Sequence, residues 1–153
     1  MIRVLIADDH AMVREGLASV LPADGDIQIV AMVADGAAAV EAVTAREIDV
    51  IVMDLSMPVL DGIEATRTVR STAPRVRVLV LTSFGDRDRV RRALDAGATG
   101  YQLKDAEPGD LRAAVRAVHE GHAPLDPRVA GVLLPEPATC LLYTSDAADD
   151  SLR

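Results

Sequence analysis

The sequence predicts an α/β fold, a parallel β-sheet wrapped by helices, and three observations lead there. Short Val/Ile/Leu-rich runs alternate with longer segments whose apolar residues recur every three or four positions, the pattern of repeated βα units. Half of the residues are hydrophobic while only 2% are aromatic, so the interior is packed from Val, Leu, Ile and Ala, as suits strands buried on both faces. The 153 residues fit one domain with a real core and leave no comfortable room for two.

The elements follow in order. Met1-Ile2-Arg3 runs straight into the first expected strand, residues 2–7, with no signal peptide before it. Further aliphatic runs place strands at 27–33, 48–53, 76–81 and 100–103. Helical spacing places helices at 10–21, 36–45, 61–71, 87–96 and 108–120, shown best by Leu111, Ala114, Val115 and Val118 in the last. Gly97 and Gly121 stand where helix C-termini need them, and Pro108 sits at a first helical turn. After Gly121 the periodicity fades into Pro124, Pro127, Pro135 and Pro137. The reading is therefore a domain over 1–122, a proline-bearing linker over 123–137, and a tail over 138–153 that has no helix or strand pattern and looks non-native.

A net charge of −8 and a pI near 4.8 speak against a nucleic-acid surface within this chain. Arg87, Arg89, Arg91 and Arg92 are the best basic candidate, but they alternate with Asp86, Asp88 and Asp95 and read as a solvated helix face. Cys140 is the one cysteine, which excludes a disulfide framework and makes a reducing cytoplasm the expected location. No apolar run approaches the roughly 18 residues that span a bilayer.

In an open parallel sheet, ligands bind beyond the carboxyl ends of the strands. Asp8 and Asp9 close the first strand, Asp54 the third, Thr82 and Ser83 the fourth, and Lys104 the fifth, so all are expected at one sheet edge. Taken singly, each has an ordinary explanation: a turn former, a helix cap, a strand-end hydroxyl, a solvated lysine. Their joint occurrence at four strand ends does not. Carboxylates gathered this way repel and demand a counterion; Mg²⁺ or Mn²⁺ resolves the conflict, and Lys104 adds a point charge suited to a phosphate oxygen. His10, His119 and His122 suit no metal spacing and are given no site role.

These residues carry a resemblance. Asp8-Asp9-His10, the run Asp54-Leu55-Ser56-Met57-Pro58-Val59-Leu60-Asp61-Gly62, the pair Thr82-Ser83 and the run Gly100-Tyr101-Gln102-Leu103-Lys104-Asp105-Ala106 resemble, in order and spacing, the receiver domain of two-component response regulators. The match covers residues 1–122, and Leu81-Thr82-Ser83-Phe84 with Leu103-Lys104-Asp105-Ala106 is most similar to the NarL/FixJ (LuxR-type) subfamily.

The resemblance implies a flavodoxin-like, CheY-like doubly wound sheet of five parallel strands in order 2-1-3-4-5 with five helices. It implies that Asp54 is the phosphoacceptor, that Asp9 ligates the cation directly and Asp8 through water, and that the Ser56 backbone carbonyl completes the protein's ligands. Thr82 would donate to the phosphoryl group, Lys104 would pair with it, and Tyr101 would be the aromatic that reorients on activation. The partners implied are a sensor histidine kinase, a second copy of the chain on phosphorylation, and DNA only through a helix-turn-helix output domain, for which nothing after Pro127 has the pattern. A stand-alone receiver working through protein contacts is the alternative. The chemistry is self-phosphorylation and autodephosphorylation rather than turnover of a substrate. An aspartyl-phosphate phosphatase would need a second acid where Ser56 stands, and a flavin carrier would not set Asp8 and Asp9 against a phosphate.

Overall fold

The structure, a computed structural model, describes residues 1–82 and 87–122. The expected linker and tail, with Ser83, Phe84, Asp86 and Cys140, lie outside the described residues. Among the described residues, five strands, β1 (Ile2–Ala7), β2 (Ile27–Val33), β3 (Val50–Asp54), β4 (Arg77–Thr82) and β5 (Gly100–Leu103), alternate with five α-helices. These are α1 (Ala11–Val20), α2 (Gly36–Ala45), α3 (Gly62–Thr72), α4 (Arg87–Asp95) and α5 (Pro108–His119). All strand pairs are parallel, in the order β2-β1-β3-β4-β5, so the fold class and strand order expected above are the ones observed.

The pleat divides the core in two, because successive side chains leave a strand on opposite faces. Leu5, Ala7, Ile51, Met53, Val78, Val80, Tyr101 and Leu103 pack with Ala39 and Val43 of α2, Ile63 and Val69 of α3, and Val90 and Ala93 of α4. Val4, Ile6, Val50, Val52, Leu79 and Leu81 pack with Leu17 of α1 and Leu111, Val115 and Val118 of α5. Val50 to Met53 of β3 and Val78 to Leu81 of β4 are apolar without interruption because both faces of these central strands are covered. At about 25 cal/mol per Å² of apolar surface, this double burial is the main stabilising term.

β3 and β4 begin later than the apolar runs that announced them. Ile48 and Val76 are buried but precede their ladders, since apolar burial begins before parallel hydrogen bonding does. Both ladders also run one residue past the apolar runs, through the pairs Asp54–Leu81 and Thr82–Leu103, so Asp54 and Thr82 are the last residues of their strands. A short 3₁₀ turn, Leu21–Asp24, with Pro22 in its first turn and Gly25 closing it at φ +85°, was not expected. Arg112 and Arg116 of α5 reach Asp24, and Arg116 also reaches Asp26, pinning the last helix to the entry of β2. No described helix is long and apolar enough to cross a membrane.

Candidate functional site

The pleat that sorts the core also builds the site. Positions 4 and 6 of β1 and 50 and 52 of β3 face α1 and α5; continuing each alternation by two brings Asp8 and Asp54 to the same side. Lys104 arrives there one residue past β5. Its Nζ lies 3.0 Å from Asp54 Oδ1 and 3.7 Å from Asp8 Oδ2. Thr82 and Tyr101 follow the opposite alternation, towards α3 and α4. The sheet thus separates a charge cluster on one face from a hydroxyl and an aromatic on the other.

Asp8, Asp9, His10 and Asp54 each offer a ligand atom, and these atoms lie within 4.8 Å of one another. Asp8 and Asp54 are buried, Asp9 exposed. Asp8 Oδ1 accepts the His10 backbone N–H at 2.8 Å, and Arg14 donates to the Asp8 carbonyl at 2.6 Å, so the start of α1 fixes the first carboxylate. Asp8 Oδ2 and Asp54 Oδ2 are buried with no hydrogen-bond partner among the described residues. Burial pushes the Asp54 carboxyl above the usual carboxylate range and the Asp8 charge adds to this, while the Lys104 hydrogen bond opposes it. Asp8 and Asp54 share one lysine, Asp9 stands beside them against His10, and two buried oxygens lack a hydrogen-bond partner among the described residues. That donor set fits a hard divalent cation, which takes carboxylate and carbonyl oxygens and keeps its waters.

The loop from Asp54 to α3 is tightly wound. Gly62 passes so close that a Cβ there would stand 2.1 Å from the Asp54 carbonyl oxygen, so only glycine fits. Gly62 N–H donates to the Leu55 carbonyl at 3.0 Å, and Asp61 caps α3 by accepting from Glu64 N–H at 2.9 Å. Val59, 84% exposed, sits at φ +69°, a left-handed conformation unfavourable for a β-branched residue.

Two residues given no role in the sequence belong to this neighbourhood. His10 Nδ1 lies 3.0 Å from Asp9 Oδ1 and 3.2 Å from Asp8 Oδ1; its position directly after the acidic pair was the available signal. Arg89 does not belong to a purely solvated helix face: it donates to the Leu55 carbonyl at 2.6 Å and to the Ser56 hydroxyl. No local pattern announces a contact across 34 residues. Tyr101 is fully buried and its hydroxyl donates to the Val90 carbonyl of α4 at 3.0 Å.

A family model described as the response regulator receiver domain matches residues 4–116. The chain belongs to this receiver family. It is similar to the transcriptional regulatory protein LiaR of Bacillus subtilis, 42% identical over 134 residues that make up 88% of this chain and 64% of LiaR. Among solved structures, the receiver resembles a LuxR-family two-component response regulator from Aurantimonas sp. SI85-9A1, with a TM-score of 0.81 and 33% identity over 86% of this chain and 94% of that one. It also resembles the signal receiver domain of the response regulator NarL from Mycobacterium tuberculosis, with a TM-score of 0.76 and 36% identity over 79% of this chain and 98% of that one. The chain spans less than two thirds of LiaR, so the receiver corresponds to part of that relative.

Proposed function

We propose that this receiver is the phosphorylation switch of a LuxR-type transcriptional regulator, with Asp54 as the phosphoacceptor. The observation that carries the reading is the pairing of Asp54 with Lys104 beside two orphaned carboxylate oxygens, an arrangement that suits a nucleophile awaiting a cation. An Asp54 carboxylate oxygen forms a bond to phosphorus as the P–N bond of a kinase phosphohistidine, or the P–O bond of acetyl phosphate, breaks; the bonding electrons go to the leaving group, which departs as an imidazole that has taken up a proton or as the acetate anion. Bound Mg²⁺ or Mn²⁺ supplies neutralisation of the phosphoryl oxygens.

The chain's own residues do the rest. Asp9 and the Ser56 backbone carbonyl would hold the cation directly and Asp8 through a water, and Asp54 would contribute the oxygen that has no hydrogen-bond partner among the described residues. Lys104 moves its hydrogen bond from the Asp54 carboxylate to a phosphoryl oxygen, and Thr82 turns its hydroxyl towards the same group. The new charge and acceptor oxygens draw Thr82 inward, and Tyr101, on the same face of the sheet, reorients into the space and changes the surface of α4, β5 and α5. Residues 1–122 are the switching unit, with 123–137 as the linker and 138–153 as a tail foreign to it. The partners are a sensor histidine kinase and, after phosphorylation, a second copy; DNA is contacted through an output domain outside this chain. Such a unit works in the cytoplasm and modifies only itself.

The test is intact mass after incubation with acetyl phosphate, with and without Mg²⁺, for the chain and its Asp54→Asn variant. A gain of one phosphoryl group that needs Mg²⁺ and is lost in the variant is expected. No gain, or an equal gain in the variant, would remove Asp54 from the role.

A further inference from the structure

We propose that Arg89 is a positioning residue for the cation site: it holds the loop after Asp54 in the geometry that metal binding requires, and so couples that loop to α4. The inference rests on the cation reading above and extends it to a residue outside the acidic cluster. Arg89 projects from the first turns of α4 and donates to the Leu55 carbonyl at 2.6 Å and to the Ser56 hydroxyl. The Leu55 carbonyl also accepts Gly62 N–H at 3.0 Å, so both lone pairs of this oxygen are engaged, one from α3 and one from α4.

The peptide held in this way lies between the phosphoacceptor and the carbonyl assigned to the cation. Its orientation fixes one end of the Ser56 residue whose carbonyl is assigned to the cation. The next residue of α4 carries the other contact of interest, since the Tyr101 hydroxyl donates to the Val90 carbonyl at 3.0 Å. Arg89 and Val90 are therefore gripped from two sides, by the phosphoacceptor loop and by Tyr101. A shift of α4 loosens the loop, and a loop drawn onto a cation biases α4. Thermodynamic linkage makes the two effects equal in size.

The sign of one measurement separates positioning from mere proximity. As a nearby positive charge, Arg89 opposes a divalent cation, and its neutralisation would tighten Mg²⁺ binding. As a positioning residue it favours the bound geometry, and its loss weakens binding; removing a group that orients a ligand costs on the order of tenfold in metal affinity. Arg89→Met keeps the aliphatic stem and the helix propensity, so the fold is retained. Arg91→Met makes the same charge change at an exposed position of the same helix.

Mg²⁺ affinity is measured by calorimetric or NMR titration for the wild type, Arg89→Met, Arg89→Lys and Arg91→Met, together with amide hydrogen exchange of Ser56 and Met57 in the metal-free proteins. The expected result is about tenfold weaker Mg²⁺ binding in Arg89→Met, partial recovery in Arg89→Lys, no weakening in Arg91→Met, and faster exchange at Ser56 and Met57 in Arg89→Met alone. Equal or tighter Mg²⁺ binding in Arg89→Met overturns the proposal, as does unchanged exchange. Absence of Mg²⁺ binding by the wild type sinks the cation reading itself, which the exchange measurement, made without metal, does not depend on.

Discussion

Lys104 Nζ stands 3.0 Å from Asp54 Oδ1 and only 3.7 Å from Asp8 Oδ2, so one ammonium hydrogen-bonds the first carboxylate and balances the second through space. Replacing it with methionine leaves buried carboxylates without their cation. The expected cost is about 1.5–3 kcal/mol, the range of a hydrogen bond to a charged group, read as a lower midpoint of denaturant unfolding without metal. Mg²⁺ recovers part of that loss by supplying the missing charge. A variant as stable as the wild type in metal-free buffer would contradict this.

Asp54 carries its charge at a cost to the fold. Its carboxyl is raised by burial first and by Asp8 next, against the Lys104 hydrogen bond. The folded value exceeds the unfolded one, so the ionised group lowers stability above the ordinary carboxylate range of about 4, and the penalty fades as pH falls through the raised folded value. Asp54→Asn removes it. The variant is expected to melt at a higher temperature than the wild type at pH 7 without metal, and the two curves should converge towards pH 4. Saturating Mg²⁺ should raise the wild-type melting temperature by mass action and shrink the difference.

The Arg116 contacts have the opposite sign. Arg116, with Arg112, holds the Asp24 carboxyl below its ordinary value, and Arg116 does the same for Asp26. Depressed folded values give stability that is present above the unfolded carboxylate range and is lost as pH falls through them. The difference between wild type and Arg116→Met is therefore expected to be greatest near neutral pH and to vanish in acid, measured as unfolding midpoints across pH 2–7. Because these acids are solvent-exposed, added salt should also shrink it.

Val59 occupies the left-handed region at φ +69° while 84% exposed. Glycine adopts this conformation at no steric cost, and Val59 has little packing to lose. Val59→Gly is expected to stabilise the domain by about 1 kcal/mol through relief of strain, visible in chemical denaturation without any change in Mg²⁺ affinity.

How far the sequence alone determined this protein depends on the range of each interaction. Aliphatic runs and helical spacing are local, so the number and order of elements, the parallel sheet and the carboxyl-edge placement of Asp8, Asp9, Asp54, Thr82 and Lys104 were legible. Boundaries were less so: Ile48 and Val76 are buried yet outside their ladders, because hydropathy reports burial and not pairing.

Only the tertiary structure decided which groups touch. That Lys104 bonds Asp54, that His10 joins the acidic pair, that Tyr101 ties to Val90 and that Arg89 crosses from α4 to Leu55 and Ser56 depend on residues brought together by the packing of distant elements. An arginine in a helix of alternating charge has the same local pattern whether its guanidinium meets water or a backbone carbonyl 34 residues away. Periodicity records which face of an element is apolar; what a long polar side chain reaches is settled when the sheet and its helices close around it.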